Sequence, residues 1–365
     1  MQPDGAGELN RPGVDFYRRL AEGLRERGIE PAATLYHWDL PQALQERGGW
    51  AARDTAERFA DYAEHMAREL GDVIKTWITH NEPWVVAFLG HAHGVKAPGV
   101  RDWATALRVS HHLLLSHGLA VERLRSQAPD ARVGITTNLT PTRPASGAAE
   151  HVAAARRLDG HMNRWFLDPV LLGRYPEDMV ERYEQRVGPL DAIRDEDLAV
   201  IARPIDFLGV NYYFPAQVAA DLGRPPVDAR MVTGDGPHTA MGWDVDSGGL
   251  LELLRRLRAD YGDIPIAITE NGAAFDDPEP SGDVVEDPRR VEYLRDHLRA
   301  VAQAVREGVD VRAYYAWSLM DNFEWEHGYA KRFGLVHVDY ETQRRTLKRS
   351  ALWYRDVIVH RRLDD

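Results

Sequence analysis

Apolar residues recur along this chain in two alternating periods. Stretches with a helical spacing lead, six times over, into short runs rich in β-branched and aromatic residues. A helical pattern over 14–27 leads into Ala32-Ala33-Thr34-Leu35-Tyr36, which ends in His37-Trp38-Asp39. A second, over 54–70, leads into Val73-Ile74-Lys75-Thr76-Trp77-Ile78 and then Thr79-His80-Asn81-Glu82-Pro83. A third, over 103–126, precedes Arg132-Val133-Gly134-Ile135-Thr136. A longer helical stretch, with proline breaks expected at Pro169 and Pro176, precedes Ile205-Asp206-Phe207-Leu208-Gly209-Val210 and Asn211-Tyr212-Tyr213. The pattern over 249–260 leads to Ile264-Pro265-Ile266-Ala267-Ile268 and Thr269-Glu270-Asn271-Gly272. The last, over 288–307, leads to Val311-Arg312-Ala313-Tyr314-Tyr315-Ala316 and Trp317.

Strands alternating with helices predict an α/β fold with a parallel sheet and right-handed crossovers. A (β/α)8 barrel needs eight strands, and this pattern supplies six. The chain also opens on Met1-Gln2-Pro3-Asp4-Gly5, a turn signal that normally leaves a strand. Either the sheet is open, or the chain is a barrel lacking its first two strand–helix units. No repeat, linker or low-complexity tract divides it, so residues 1–365 are expected to form one domain.

Two glutamates stand out against this pattern. Glu82 and Glu270 each lie at the C-terminal end of an expected strand, far apart in sequence, where only a closed fold could bring them together. In a barrel, residues at those ends converge on one face. Two carboxyl groups flanking one bond are what glycoside hydrolysis needs, one to protonate the leaving oxygen and one to attack the sugar carbon. For either glutamate alone the competing reading is a strand-end salt bridge.

Composition narrows the partners. A net charge of −12 argues against a nucleic acid, which calls for a basic face. With no cysteine, disulfides and thiolate-bound metals are excluded. No apolar run has membrane-spanning length, and the first ten residues lack a signal-peptide core, so a cytoplasmic location and no membrane partner are expected. The cations are overwhelmingly arginine; lysine occurs only at Lys75, Lys96, Lys331 and Lys348, which reads as base composition of the gene. His91-Ala92-His93 and His111-His112 do not make a metal site, because the chain has no H-E-x-x-H and helical neighbours point in different directions. Asn138-Leu139-Thr140 is a weak glycosylation pattern. With neither a phosphate-binding glycine loop nor a dinucleotide fingerprint, no cofactor is expected. Trp38, Trp84, Trp317 and Trp325 lie near strand ends, where their rings could stack on sugars or simply pack in the core.

Six segments together are more specific: Leu35-Tyr36-His37-Trp38-Asp39-Leu40-Pro41-Gln42, Thr79-His80-Asn81-Glu82-Pro83, Asn211-Tyr212-Tyr213, Met241-Gly242-Trp243, Thr269-Glu270-Asn271-Gly272 and Trp317-Ser318-Leu319-Met320-Asp321-Asn322-Phe323-Glu324-Trp325. In this order the chain resembles the glycoside hydrolase family 1 β-glucosidases, along its whole length but beginning after that family's second strand. The resemblance implies a (β/α)8 barrel present as six of eight units. It also implies a retaining exo-β-glycosidase acting on terminal β-D-glucosides or cello-oligosaccharides, and on β-galactosides or β-fucosides as further possibilities. By matching motif it assigns Glu82 as acid/base and Glu270 as nucleophile. His37, Asn81 and Glu324 would bond sugar hydroxyls, Tyr213 would donate to Glu270, and Trp317 would lie under the ring. Trp325 would bond a hydroxyl through its N–H, and Trp243 would line the aglycone side. The segment absent relative to the family carries a sugar-binding glutamine and an arginine beside the nucleophile.

Two alternatives stay open. A 6-phospho-β-glucosidase would need basic or hydroxyl groups where the resemblance places Glu324, whose carboxylate repels phosphate. A catalytically dead remnant, or a fragment that merely binds carbohydrate, is of a different class; retention of both glutamates speaks against it and the missing strands speak for it. On its own, such a six-unit chain is expected to be insoluble or inactive. Oligomeric state has no signature in the sequence.

Overall fold

The computed structural model describes residues 1–280 and 282–363; the expected domain of 1–365 also takes in Ser281 and residues 364–365, which lie outside them. The chain divides into two compact units, one of residues 1–138 and 160–209, the other of residues 139–159 and 210–365.

Six parallel strands carry the fold: β1 (Ala32–Tyr36), β2 (Thr76–Asn81), β3 (Arg132–Asn138), β4 (Phe207–Asn211), β5 (Ile266–Asn271) and β6 (Val311–Ala316). The first unit contains β1, β2 and β3, the second contains β5 and β6, and β4 spans the boundary. Strand order in the sheet follows chain order without reversal. That excludes the doubly wound α/β class, whose order switches direction at its crevice, and is the order of an α/β barrel. Every residue of β4 is buried, as are all but the first of β2, which suits strands covered on both faces. At the two ends of the strand order burial fails. Ala32 and Thr34 of β1 are exposed, and β6 has no buried residue.

Strand and helix limits follow local chemistry. Val73 and Ile74 close a buried turn, both donating N–H bonds to Leu70 O, so β2 starts later than the apolar run suggests and reaches Asn81. Pro265 has no N–H to give, and β5 starts at Ile266, whose N–H bonds Asp310 O at 2.8 Å. Side-chain oxygens of Asn10, Asp102 and Asp246 cap the helices Arg11–Arg25, Trp103–Gln127 and Ser247–Tyr261. Pro288 opens Pro288–Arg306 at a position needing no donor. Pro169 is a correction to the sequence reading: it sits inside the helix Trp165–Leu172. The irregularities fall before it, at the wide turn Gly160–Arg164, and after it, at Gly173 with φ 67°. Pro176 does precede a helix start, at Glu177.

Two three-stranded sheets in the second unit were not foreseen. One joins Thr142–Pro144, Ala216–Ala220 and Ala229–Val232; the other joins Val284–Val285, Val336–Val338 and Arg345–Lys348. Their strands are too short for a period to show. No helix among the described residues is long and apolar enough to cross a membrane.

Candidate active site

In the first unit, register sets the geometry. Tyr36 of β1 pairs with His80 of β2, so His37 and Asn81 leave the sheet side by side. The Asn81 amide donates to His37 Nε2 at 3.2 Å, which leaves the imidazole proton on Nδ1. Burial pushes the His37 pKa down, with Asp39 opposing, so the ring is neutral near pH 7. Glu82 follows at once. Its side chain is buried, its N–H bonds Thr136 O of β3 at 2.9 Å, and its φ is +49°. A non-glycine residue there carries strain of ~1–3 kcal/mol, of the kind that clusters at functional sites. Trp38 at φ 78° and Trp325 at φ 36° share this conformation.

Behind this edge the side chains are engaged in structure. Trp38 donates its indole N–H to Asn81 O at 2.9 Å, and Lys96 Nζ lies 5.2 Å from its ring centre. Trp84 donates to His161 Nε2 at 3.1 Å, which puts the His161 proton on Nδ1, facing Tyr183 OH at 2.7 Å. Both tryptophans therefore hold the scaffold. His111 and His112 part company as their adjacency requires: His111 bridges Tyr175 OH and Asp197, each at 3.0 Å, while His112 contacts Trp50 O at 2.9 Å.

The second unit presents Glu270 near the end of β5, 8% exposed. Tyr213 OH donates to Glu270 Oε2 at 2.6 Å, and Tyr212 N–H bonds Glu270 O at 3.0 Å. Asn271, which the sequence reading passed over, is the fixed point of this corner. Its amide donates to Tyr212 O at 2.7 Å and meets Tyr293 OH at 3.0 Å, its side-chain oxygen accepts from Tyr314 OH at 2.6 Å, and its carbonyl accepts Trp317 N–H at 3.0 Å. Because Ala316 pairs with Asn271, Trp317 emerges beside Gly272. A Cβ on Gly272 would lie 1.9 Å from Trp317 O, which is why the motif ends in glycine.

Trp317 begins the loop that carries Glu324 and Trp325; the Trp317–Ser318 peptide is cis. Trp317 and Glu324 are half-buried and Trp325 is exposed. Trp243 lies on another loop, its ring centre 5.1 Å from Tyr213 and 5.4 Å from Phe214. The structure thus joins His37 with Asn81 in the first unit and Glu270 with Tyr213 and Trp243 in the second.

The Trp317–Trp325 loop is tethered through charge. Asp321 is buried and accepts from Lys348 Nζ at 2.9 Å, Arg332 at 2.9 Å and Gly334 N–H at 2.9 Å. Lys348, itself fully buried, also bonds Asp277 at 2.6 Å, and Arg290 bonds Asp277 and Asp287. Three cations meet three carboxylates. Burial and then Arg290 push the Lys348 pKa down, while Asp277 and Asp321 oppose them. Replacing Lys348 with Met leaves two buried carboxylates short of a partner. In the chain joined to the first two strand–helix units of a family 1 relative we expect a loss of ~3–5 kcal/mol, read as a lower unfolding midpoint in urea, because breaking one side of a buried pair costs more than removing both. A midpoint unchanged from the parent would contradict this reading.

Comparison with known proteins places these features in context. The model for the family described as "Glycosyl hydrolase family 1" matches residues 1–363. "Beta-glucosidase A" of Acetivibrio thermocellus is 47% identical over 360 residues, covering 98% of this chain and 80% of that protein. "Thermostable beta-glucosidase B" of Thermobispora bispora is 49% identical over 364 residues, covering 98% of this chain and 74% of its own. The solved family 1 β-glucosidase from Thermotoga maritima superposes with a TM-score of 0.96 at 42% identity, covering 100% of this chain and 81% of that one.

Proposed function

This chain belongs to glycosyl hydrolase family 1, and from that premise we propose that it is a retaining β-glucosidase with Glu82 as acid/base and Glu270 as nucleophile. The observation that carries the reading is the Tyr213–Glu270 bond of 2.6 Å, which fixes the direction of a buried carboxyl group at a strand end. In the first step Glu82 gives its proton to the glycosidic oxygen while Glu270 attacks the anomeric carbon, and the bond to the aglycone breaks. In the second, Glu82 takes a proton from water, the water oxygen bonds the same carbon, and the ester to Glu270 breaks to release a β-configured sugar.

Around these two groups His37, Asn81 and Glu324 bond sugar hydroxyls, Trp317 supports the ring, Trp325 donates its N–H, and Trp243 lines the aglycone side. The neutral state of His37 suits this role, since Nε2 accepts from Asn81 and the proton on Nδ1 makes that nitrogen a donor. A 6-phospho-β-glucoside is disfavoured by the carboxylate of Glu324.

We further propose that the active barrel has eight strand–helix units and that this chain supplies six as one domain. Supporting this, the chain spans about four-fifths of Acetivibrio thermocellus β-glucosidase A. The least buried strands are those at the two ends of the strand order, and Phe16, Tyr17 and Leu20 are exposed on the helix before β1. Buried backbone groups left unpaired cost ~1–3 kcal/mol each against a net stability of ~5–15 kcal/mol. Residues 1–365 expressed alone should therefore be insoluble or inactive, and supplying the first two units of a family 1 relative should restore hydrolysis of an aryl β-glucoside. A soluble, monomeric 365-residue product that hydrolyses cellobiose at normal rates would show that six strands suffice.

A further inference from the structure

Trp243 sits on a small hairpin whose construction is unusually complete. Val245 N–H bonds Pro237 O at 2.9 Å, and Thr239 N–H bonds Trp243 O at 2.9 Å. Gly242 N–H closes the turn on Thr239 O at 2.9 Å, with Gly242 at φ 77°, where glycine alone sits without strain. Thr239 Oγ1 accepts from Met241 N–H and Trp243 N–H at 3.2 and 3.3 Å. Across the hairpin His238 Nε2 and Asp244 Oδ1 lie 2.7 Å apart.

A hairpin this short is marginal by itself, so something must hold it in place. Two cations and one backbone bond do so within the same unit. Lys331 Nζ donates to Ala240 O at 2.5 Å, and Arg289 donates to His238 O at 2.8 Å. Ala240 N–H bonds Ala274 O at 2.8 Å, two residues beyond Gly272. The turn of the hairpin is thus gripped at one residue from both directions. On its other side the Trp243 ring is bounded by Tyr213, Phe214 and Phe333, with centroids 5.1, 5.4 and 6.1 Å away. The chain has four lysines among 45 basic residues, and two of them, Lys331 and Lys348, hold loops after strand ends in place.

We propose that Lys331 and Arg289 are positioning residues that fix the Trp243 hairpin and thereby set selectivity for the leaving group. The inference rests on the reading of Trp243 as an aglycone-side residue. The hydrogen bonds of Lys331 and Arg289 go to the hairpin itself, at Ala240 O and His238 O, so loosening the hairpin affects what lies beyond the scissile bond and spares the sugar that is attacked. A bulky second sugar depends on that wall, whereas an activated aryl group depends on it less.

The test uses the full chain joined to the completing units, with Lys331→Met, Lys331→Arg, Arg289→Gln and Trp243→Ala. For Lys331→Met and Arg289→Gln, kcat/KM on cellobiose should fall about tenfold while that on a dinitrophenyl β-glucoside stays within about threefold, because a misplaced wall costs most where it binds. Lys331→Arg should recover most of the loss. Amide hydrogen exchange at Thr239, Ala240 and Val245 should speed up by about tenfold in Lys331→Met. Equal losses on both substrates, or unchanged exchange, would overturn the proposal. If Trp243→Ala changes the ratio of the two substrates and the cation variants do not, the clamp alone is wrong. If Trp243→Ala leaves the ratio unchanged, the aglycone reading of Trp243 is wrong and the proposal falls with it.

Discussion

Replacing Glu270 with Ala in the completed enzyme is expected to abolish nearly all turnover of an aryl β-glucoside, by at least about ten-thousandfold, or ~5.5 kcal/mol of transition-state stabilisation. The substitution removes the attacking oxygen and leaves Tyr213 OH without its acceptor. It also opens a space of carboxylate size at a position 8% exposed. Azide can occupy that space and attack the anomeric carbon from the same face, so it should restore turnover. The product should be an α-glucosyl azide, inverted relative to the substrate, because one displacement replaces two. Near-normal activity without azide would remove Glu270 from the mechanism.

The second large effect is expected at Glu82, and it should depend on the substrate. With Glu82→Gln, glucosides whose leaving group needs a proton should slow by ~10²–10⁴-fold, the range of general acid catalysis. A dinitrophenyl glucoside leaves unaided, and its first step should proceed almost as before. The basic limb of the pH–rate profile should vanish with the acid. The buried position of Glu82 and its N–H bond to Thr136 O are unaffected by a change from oxygen to nitrogen at the side-chain tip, so a folding defect should not obscure the result. Equal losses on good and poor leaving groups would exclude Glu82 as the acid.

How far the sequence could be read depended on what each feature needs. The bounds of β1 and β6 coincide with their apolar runs, in β6 despite the register shifts of its pairing with β5 between Val311 and Ala313 and between Tyr314 and Ala316. β2 and β5 begin late because of a helix-closing turn at Val73-Ile74 and the missing donor of Pro265. Pro169 misled because proline is tolerated in a helix when its neighbours absorb the irregularity. The short strands beyond the main sheet left no period to detect.

His37, Asn81, Glu82, Tyr213, Glu270 and Trp317 fall at or just past strand ends, as their motif segments suggest, while Trp243, Glu324 and Trp325 lie on loops whose course no period in the sequence traces. Their supports were not legible. Asn271 reads as an ordinary polar residue until Tyr212, Tyr293 and Tyr314 are brought round it. The group of Asp277, Asp287, Asp321, Arg290, Arg332 and Lys348 is assembled from distant segments, and no local pattern announces it. Trp38 and Trp84 could be placed near strand ends, but the direction of an indole N–H is fixed only by tertiary contact. Lysine scarcity read as base composition, yet Lys331 and Lys348 each satisfy an acceptor that the fold places within reach of an ammonium.

The central claim is that hydrolysis passes through a covalent glycosyl ester on Glu270. Incubating the completed enzyme with a 2-deoxy-2-fluoro-β-glucoside bearing a dinitrophenyl leaving group, followed by peptide mass mapping, tests it directly. The fluorine slows both steps, and the activated leaving group lets the first outrun the second, so the ester should accumulate. The account predicts one sugar adduct per chain, carried on Glu270 within Thr269-Glu270-Asn271-Gly272, with activity regained as the adduct turns over. An adduct on another residue, or steady turnover to an α-configured product with no adduct, would contradict it.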